Sequence, residues 1–217
     1  MKVHHPVPIF HLNLSQHFWI VMHLIYLHGF RSSPMSKKGQ QLRQYCADKT
    51  NIHVHLPDLN QSPFNVIAKL SSLIESFKNE PVALVGSSLG GFYATHLVAQ
   101  LGCPAVLINP AMQPWQLFQD LFGVEQMPLK ITEQWTLDKH QLQQLQTLAQ
   151  IELKHANKIL VLLQQGDEVL DYHQAQVYYN AAQPSALILT EVGGNHAMDD
   201  FDEKIPLVLE FLSAAIE

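Results

Sequence analysis

The 217-residue sequence has little charge: Asp, Glu, Lys and Arg make up 15% of it, against about 25% in an average globular protein. Hydrophobic residues make up 47%, which excludes an extended disordered chain. The net charge of −6 provides no basic surface for nucleic acid or for an anionic membrane. The length favours one domain core rather than two, since a typical domain has roughly 150 residues.

Cysteine is also scarce. Cys46 and Cys103 lie far apart and form no CxxC motif or mixed Cys/His spacing, which argues against a disulfide framework or a structural zinc site. Such a chain is expected in a reducing compartment, here the cytoplasm. Long apolar runs are missing too: residues 18–27 are too few to span a membrane, and His23 interrupts them.

The amino terminus lacks a clear secretory signal, which would combine a basic start, an uninterrupted apolar centre and a small-residue cleavage site. We interpret residues 1–21 as a poorly ordered extension and residues 22–217 as the folded domain. Met22 is then a plausible alternative translation start, since a core strand is predicted directly after it.

Short apolar segments alternate with longer helical patterns along the chain. Strands are predicted at residues 24–28, 52–56, 82–86, 105–109, 158–163 and 186–192, and helices at residues 37–49, 66–79, 89–101, 138–149, 172–180 and 205–215. This alternation predicts a single α/β domain, with a mostly parallel sheet covered by helices on both faces. The strands are near-continuous apolar runs, as in sheets whose two faces are buried.

The alternation is interrupted at residues 110–157, a stretch rich in aromatic side chains. Two interpretations remain open. The stretch is either a long crossover whose aromatic residues fill the core, or a small cap over the carboxyl ends of the strands, where ligands bind in such sheets. In the second interpretation Trp115, Phe118 and Phe122 line an acyl pocket.

The segment from Gly86 to Gly90 has the pattern Gly-x-Ser-x-Gly and joins a predicted strand to a predicted helix. In that setting the central serine occupies a strained turn that exposes its hydroxyl above the sheet. Ser88 is therefore the candidate nucleophile. Ser87 is a weaker candidate because the two glycines do not flank it symmetrically.

A serine hydroxyl needs a general base, which a third group orients. In folds with this serine motif the chain order is serine, acid, histidine. Asp167 and His196 each follow a predicted strand after Ser88, so they lie at the same edge of the sheet and are the candidate acid and base. Asp171 or Glu168 could take the place of Asp167.

The competitor for the base is His173, which lies too close to the acid loop to follow a further strand. Two backbone N–H groups are expected to bind the oxyanion: that of Leu89, at the start of the helix, and that of Phe30, in the loop after the first strand. In this loop Arg31 either meets an anionic substrate group or is solvated, and His28 is predicted to shape the loop.

The chain has 13 histidines, which raises the question of a metal site. No pair shows the HExxH spacing or the spacing of a carboxylate-supported zinc triad. We therefore predict neither a metal nor another cofactor, and only His196 is assigned a role in catalysis.

Taken together, five segments resemble the α/β-hydrolase superfamily, and more closely the small bacterial YqiA-type esterases. They are IYLHGFRSSPMSKKGQQL (25–42), LVGSSLGGFYA (84–94), INPA (108–111), QQGDEVLDY (164–172) and GGNHAMDDF (193–201). The resemblance implies a single-domain α/β-hydrolase fold and esterase activity on simple carboxylic esters and acyl-CoA thioesters. It places the nucleophile, acid and base on Ser88, Asp167 and His196. Residues 1–21 depart from the family, whose members usually begin just before the YLHGF segment.

These observations predict a cytoplasmic serine esterase that works through an acyl-enzyme. Its partner is a small-molecule acyl ester or thioester, and neither nucleic acid nor a membrane span is expected. Two alternatives stay open: another reaction on the same residues, such as lipase-like, peptidase or acyl-transfer activity, and a non-catalytic binding protein of the same fold. The oligomeric state is not indicated by the sequence.

Overall fold

The computed structural model describes residues 21–216. At its centre lies a six-stranded sheet in which all neighbouring strands are parallel. In chain order its strands are β1 (Met22–Leu27), β2 (Ile52–His55), β3 (Val82–Ser87), β4 (Ala105–Ile108), β7 (Ile159–Gln164) and β8 (Leu187–Glu191), and a separate antiparallel hairpin consists of β5 (Leu129–Lys130) and β6 (Thr136–Leu137). Across the sheet the order is β2-β1-β3-β4-β7-β8.

Helices cover both faces of the sheet. They are α1 (Lys37–Tyr45), α2 (Pro63–Ser76), α3 (Leu89–Leu101), α4 (Pro114–Phe122), α5 (Lys139–Leu148), α6 (Tyr172–Ala181) and α7 (Phe201–Ile216). Side chains of α1 and α7 form one hydrophobic core with one face of the sheet, and those of α2 to α6 form a larger core with the other. The predicted fold class, a mostly parallel sheet between two helical layers, is confirmed.

The central strand β3 is buried along its whole length. Its side chains alternate between the two cores, as Leu84 and Val85 illustrate. The strand ends in the small residues Gly86 and Ser87, which leave room for a sharp turn into α3. The candidate nucleophile is thereby held at the middle of the sheet, at its carboxyl edge.

Proline marks the beginning of two helices. α2 begins at Pro63 rather than at the predicted residue 66, and α4, which the sequence analysis missed, begins at Pro114. Proline is favoured in the first helical turn because a backbone N–H at that position would have no acceptor within the helix, so its absence costs nothing. Gly123, with a φ of 71°, ends α4.

The last helix begins at Phe201, four residues before the predicted start at 205. Asp202 and Glu203 lie in its first turn, where negative charge interacts favourably with the helix dipole. Phe201 and Ile205 are both buried and lie on one face of the helix.

Residues 110–157 have features of both predicted interpretations. Phe118 and Trp135 are only 2% and 6% exposed and belong to the larger core, as expected for a crossover that fills the core. The same two rings contact Phe30, in the loop after β1. The segment therefore also covers the carboxyl edge of the sheet, where a cap is expected.

The predicted extension at residues 1–21 lies outside the described residues except for Val21, so both it and the alternative start at Met22 remain predictions. Among the helices within residues 21–216, none has the length and apolar character that crossing a membrane requires.

The strand order creates a crevice between β1 and β3. From β1 the chain moves outward to β2 and then returns to β3 on the other side of β1. Connections that diverge in this way leave a crevice at the carboxyl ends of the strands, where ligands bind in α/β sheets. Phe30 and Ser88 follow the two strands that flank this crevice.

Several histidines cluster at the opposite, amino-terminal end of β1. The ring of His23 stacks on Phe77 with 3.7 Å between centroids. Its Nδ1 lies 2.9 Å from Nε2 of His55, and its Nε2 lies 2.6 Å from the carboxylate of Glu80. Burial, followed by the charges of His23 and His53, lowers the pKa of His55. These imidazoles thus pack and hydrogen-bond at the end of the sheet that is remote from the crevice.

Acidification from about pH 7.5 to about pH 5.5 should lower the free energy of unfolding. Burial lowers the pKa of His28, His55 and His96 below their ordinary value of 6.5. As the pH falls through 6.5, the unfolded chain therefore takes up protons before the folded chain does, which favours unfolding. Urea denaturation at a series of pH values measures this loss, and an unfolding free energy that stays constant over this range would contradict it.

A matched variant isolates one of these groups. His96 Nδ1 lies 3.0 Å from the carbonyl oxygen of Leu148, and the amide of an asparagine at this position supplies a donor that does not titrate. His96→Asn should therefore lose less stability on acidification than the wild-type protein. Identical pH dependence of the two proteins would exclude His96 from the effect.

Candidate active site

Ser88 lies at the sharp turn between β3 and α3. Its backbone has a φ of 54° and a ψ of −118°, a strained conformation for a residue with a side chain. The N–H of Ser88 donates to the carbonyl oxygen of Ile108 at 2.9 Å, and its carbonyl oxygen accepts from the N–H of Gly91 at 2.9 Å. These bonds hold the turn while the half-buried side chain emerges at the carboxyl edge of the sheet.

Two glycines make this turn possible. A Cβ atom on Gly86 would lie 2.5 Å from the carbonyl oxygen of Gly90. A Cβ atom on Gly90 would collide with the carbonyl group of Leu27, at the end of β1. The turn therefore rests directly on neighbouring backbone, and the motif needs glycine at both positions for steric reasons.

A chain of hydrogen bonds joins the three predicted catalytic side chains. His196 Nε2 lies 3.1 Å from Ser88 Oγ, and His196 Nδ1 lies 2.8 Å from Asp167 Oδ2. With the proton on Nδ1, the imidazole donates to the carboxylate and leaves Nε2 to accept from the serine hydroxyl. In this arrangement an imidazole can remove a proton from serine.

Asp167 is held rigidly beside the imidazole. Its side chain is only 2% exposed. Its second oxygen, Oδ1, accepts from the N–H groups of Val169 and Leu170, each at 2.8 Å. Both carboxylate oxygens are thus engaged, which orients the one that faces His196.

The two alternative acids have other partners. Glu168 accepts from the backbone N–H of His196 at 2.9 Å, and this bond lowers the pKa of its carboxyl group. Asp171 caps α6, where it accepts from the N–H of His173 at 3.0 Å and lies 2.8 Å from Nδ1 of the same residue. The structure thus brings Asp167 to the imidazole of His196, and it pairs His173 with Asp171 instead.

The two predicted oxyanion donors flank Ser88. Leu89 is the first residue of α3, and Phe30 follows Gly29 in the loop after β1. A Cβ atom on Gly29 would lie 3.3 Å from the Cβ of Ser88, so glycine lets this loop approach the nucleophile. Within the part of the chain that the structure describes, neither backbone N–H has a protein acceptor. Two unengaged amides beside a nucleophile can stabilise a developing oxyanion.

Aromatic rings from the cap pack on Phe30. Its centroid lies 4.3 Å from that of Phe118, 5.9 Å from that of Phe122 and 6.0 Å from that of Trp135. Phe118, predicted to line an acyl pocket, is only 2% exposed and therefore presents almost no surface to a substrate. In this structure Phe118 and Phe122 support the loop that carries the Phe30 amide.

Trp115, the third predicted pocket residue, lines an open groove of about 1060 Å³ between the cap and α6. Met112, Ile151, Val177 and Tyr178 also line this groove and make it largely apolar. One residue of its lining, Met112, directly follows Ala111 in the sequence.

The buried side chain of His28 anchors the loop after β1 through hydrogen bonds. It is 3% exposed; its Nε2 accepts from the N–H of Leu59 at 3.0 Å, and its Nδ1 lies 2.9 Å from the carbonyl oxygen of Gly29. On the outer side of the loop, the guanidinium of Arg31 lies over the ring of Phe122, 4.8 Å from its centroid. The loop that carries Phe30 is therefore held on both sides.

The loop that carries His196 also has supports that the sequence analysis missed. The carbonyl oxygen of Gly193 accepts from the N–H of Gly166 at 2.7 Å, and the N–H of Asn195 donates to the side chain of Gln164 at 2.9 Å. Gln164 is buried at the end of β7. The only sequence signal for this role is its position at the end of the strand that precedes Asp167.

The structure offers no obvious metal centre in its described part. Within residues 21–216, no group of three His, Cys, Asp or Glu side chains is arranged to hold a metal ion. Cys46 and Cys103 are free, and burial raises the pKa of both thiols.

Solved structures of known proteins share this fold. Est1E from Butyrivibrio proteoclasticus, which another structure shows with ferulic acid bound, is 17% identical, with a TM-score of 0.69 over 90% of this chain and 88% of that chain. A structure from the study of LipS and LipT, two metagenome-derived lipolytic enzymes, is 15% identical, with a TM-score of 0.65 over 89% of this chain and 94% of that chain. Mouse alpha/beta hydrolase domain-containing protein 10 is 14% identical, with a TM-score of 0.63 over 89% of each chain. At these identities the likeness establishes the fold, which is that of the α/β hydrolases.

The sequence itself matches one protein family over almost all of the described chain. The match covers residues 23–213 and is to a family described as an uncharacterised protein family. It includes the turn at Ser88 and the loops of Asp167 and His196. The chain therefore belongs to the family UPF0227.

Proposed function

We propose that this protein is a serine esterase that hydrolyses carboxylic esters and acyl thioesters through an acyl-enzyme intermediate. One observation carries the proposal: a continuous hydrogen-bond chain runs from Asp167 through His196 to the hydroxyl of Ser88. It reaches the hydroxyl at a strained turn in the crevice of an α/β sheet. Side chains in this arrangement activate serine for attack on a carbonyl carbon.

In the first half of the reaction, Ser88 Oγ attacks the carbonyl carbon of the substrate while His196 Nε2 takes the hydroxyl proton. The carbonyl oxygen becomes an oxyanion, to which the N–H groups of Leu89 and Phe30 donate. Asp167 stabilises the imidazolium ion that forms. His196 then gives the proton to the departing alcohol or thiol, which leaves an ester on Ser88.

In the second half, water replaces the departed group. His196 removes a proton from this water as the water attacks the acyl carbon, and then returns the proton to Ser88 Oγ as the carboxylic acid leaves. One base thus serves both halves, so its position relative to the serine hydroxyl controls acylation and deacylation alike. No step of this scheme requires a cofactor.

The groove beside Trp115 supports a substrate with a sizeable apolar part. It is largely apolar, and Met112 in its lining is the sequence neighbour of Ala111, whose N–H donates to the carbonyl oxygen of Ser88 at 3.1 Å. An acyl chain bound there gains from burial of its apolar surface.

A reducing compartment such as the cytoplasm suits the two free thiols.

Replacement of the nucleophile should abolish both reaction with a fluorophosphonate probe and esterase turnover. Ser88→Ala removes the attacking oxygen, and the rate with p-nitrophenyl butyrate should fall roughly 10⁶-fold. Ser87→Ala is the matched control, because Ser87 is a buried serine directly next to the nucleophile in the sequence. This control should still react with the probe. A folded wild-type protein that does not react would favour the non-catalytic binding protein.

Replacement of the acid should slow turnover without preventing folding. In Asp167→Asn the side chain keeps its size but no longer stabilises the imidazolium or selects its tautomer, so kcat should fall about 10³- to 10⁴-fold. The measurement is steady-state hydrolysis of p-nitrophenyl butyrate alongside thermal denaturation.

Two further variants test the alternative acids. Asp171→Asn preserves a cap for α6, since asparagine is as good a cap as aspartate, and should leave kcat close to that of the wild type. Glu168→Gln keeps an acceptor for the N–H of His196 and should have a much smaller effect than Asp167→Asn. A larger loss in either variant than in Asp167→Asn would assign the acid to that residue instead.

A further inference from the structure

The segment 108–111 (Ile-Asn-Pro-Ala), at the end of β4, contacts the nucleophile on two sides. The carbonyl oxygen of Ile108 accepts from the N–H of Ser88 at 2.9 Å, and the N–H of Ala111 donates to the carbonyl oxygen of Ser88 at 3.1 Å. Both backbone polar groups of Ser88 are thus bound to one short segment. The position of the serine is fixed relative to the end of β4.

The side chain of Asn109, in the same segment, contacts the loop that carries the base. Its Nδ2 lies 3.1 Å from the carbonyl oxygen of Asn195 and 3.2 Å from that of His196. Its Oδ1 accepts from the backbone N–H of Gln164, at the end of β7, at 3.0 Å. One amide group therefore joins three segments: the end of β4, the end of β7 and the loop of the base.

The surroundings of Asn109 indicate that these contacts are specific. The residue is 2% exposed, and its Nδ2 lies within hydrogen-bond distance of two backbone carbonyl oxygens. Its backbone has a φ of 40°, a left-handed conformation in which asparagine is tolerated better than most side chains. Hydrophobic packing alone does not require an amide at this position. The three hydrogen bonds of the side chain do require one, because they need a donor and an acceptor on the same group.

We propose that Asn109 is a positioning residue that sets the distance between Ser88 and His196. Its own segment holds the backbone of Ser88, and its side chain holds the backbone of His196, so one rigid unit spans both partners of the proton transfer. The effect of Asn109 on the reaction rate rests on the proposed function, whereas its role in holding Ser88 and His196 at a fixed distance does not. A misplacement of about 1 Å between reacting groups can lower a rate by about 100-fold.

The variant that tests this is Asn109→Gly. Glycine adopts a positive φ without strain, so the backbone of the segment can stay in place while the amide is lost. With p-nitrophenyl butyrate, kcat per titrated active site should fall roughly 10- to 100-fold, and KM should stay within about twofold. A purely structural role would lower the melting temperature but would leave kcat per titrated site unchanged.

A second variant tests the donor alone. Asn109→Asp keeps the shape of the side chain and the acceptor for the N–H of Gln164, but it turns an oxygen toward the carbonyl oxygens of Asn195 and His196. Repulsion between these oxygens should displace the loop, so kcat should fall at least as far as in Asn109→Gly. An Asn109→Asp protein that is folded and fully active would overturn the proposal.

Hydrogen exchange provides a readout that does not depend on turnover. Loss of the amide should accelerate exchange in the segment 190–200 of Asn109→Gly by roughly tenfold, because the loop loses two of its anchors. Gln144→Ala is the matched control: Gln144 is also buried, and its amide oxygen accepts from the N–H of Phe64 at 3.2 Å, between α5 and α2. It should lose stability without faster exchange in 190–200 and without a lower kcat per site.

The outcomes separate the two proposals. A wild-type protein without esterase activity would refute the proposed function, and exchange in 190–200 would still decide whether Asn109 positions the loop. If Asn109→Gly exchanges in this segment at the wild-type rate, the positioning role is refuted, whether or not the protein turns over substrate.

Discussion

The site depends on a backbone contact between the end of β1 and the start of α3. The strained φ of Ser88 exists only because Gly86 and Gly90 allow peptide groups to meet with no side chain between them. Strain of this kind costs on the order of 1–3 kcal/mol and persists only where the surroundings determine the conformation. The contact at Leu27 also brings the loop after β1 beside the serine hydroxyl, so the proposed nucleophile and the proposed second oxyanion donor are positioned together.

The remaining groups reach the site through the parallel sheet. Ser88 and His196 are 108 positions apart in the sequence, yet β3, β4, β7 and β8 are consecutive neighbours in the sheet and end at one edge. Each strand end therefore contributes one component of the proposed site: Ser88, the segment 108–111, the loop of Asp167 or the loop of His196. A rigid sheet that carries such loops is a common foundation for functional sites.

Residues could be predicted from the sequence where the signal lies in their immediate neighbours. Ser88 stands between glycines at a junction of strand and helix, and Asp167 and His196 follow apolar runs. Asn109 and Gln164 act across the sheet, and their contacts depend on β4 lying beside β7, which local periodicity does not reveal. The helix α4 did carry a local signal, proline at its start and glycine after its end, but its aromatic spacing suited a crossover equally well.

The packing of Phe30 joins two parts of the protein that could otherwise vary independently. Its N–H is the proposed second oxyanion donor, while its ring lies against Phe118 and Trp135 of the cap. Repacking of the cap that displaces this ring therefore acts on the loop that carries the amide. In the proposed reaction, changes of the cap toward new substrates are therefore constrained by the need to keep this amide in place. The outward-facing side of the groove around Trp115 is freer to diverge than the ring contacts beneath it.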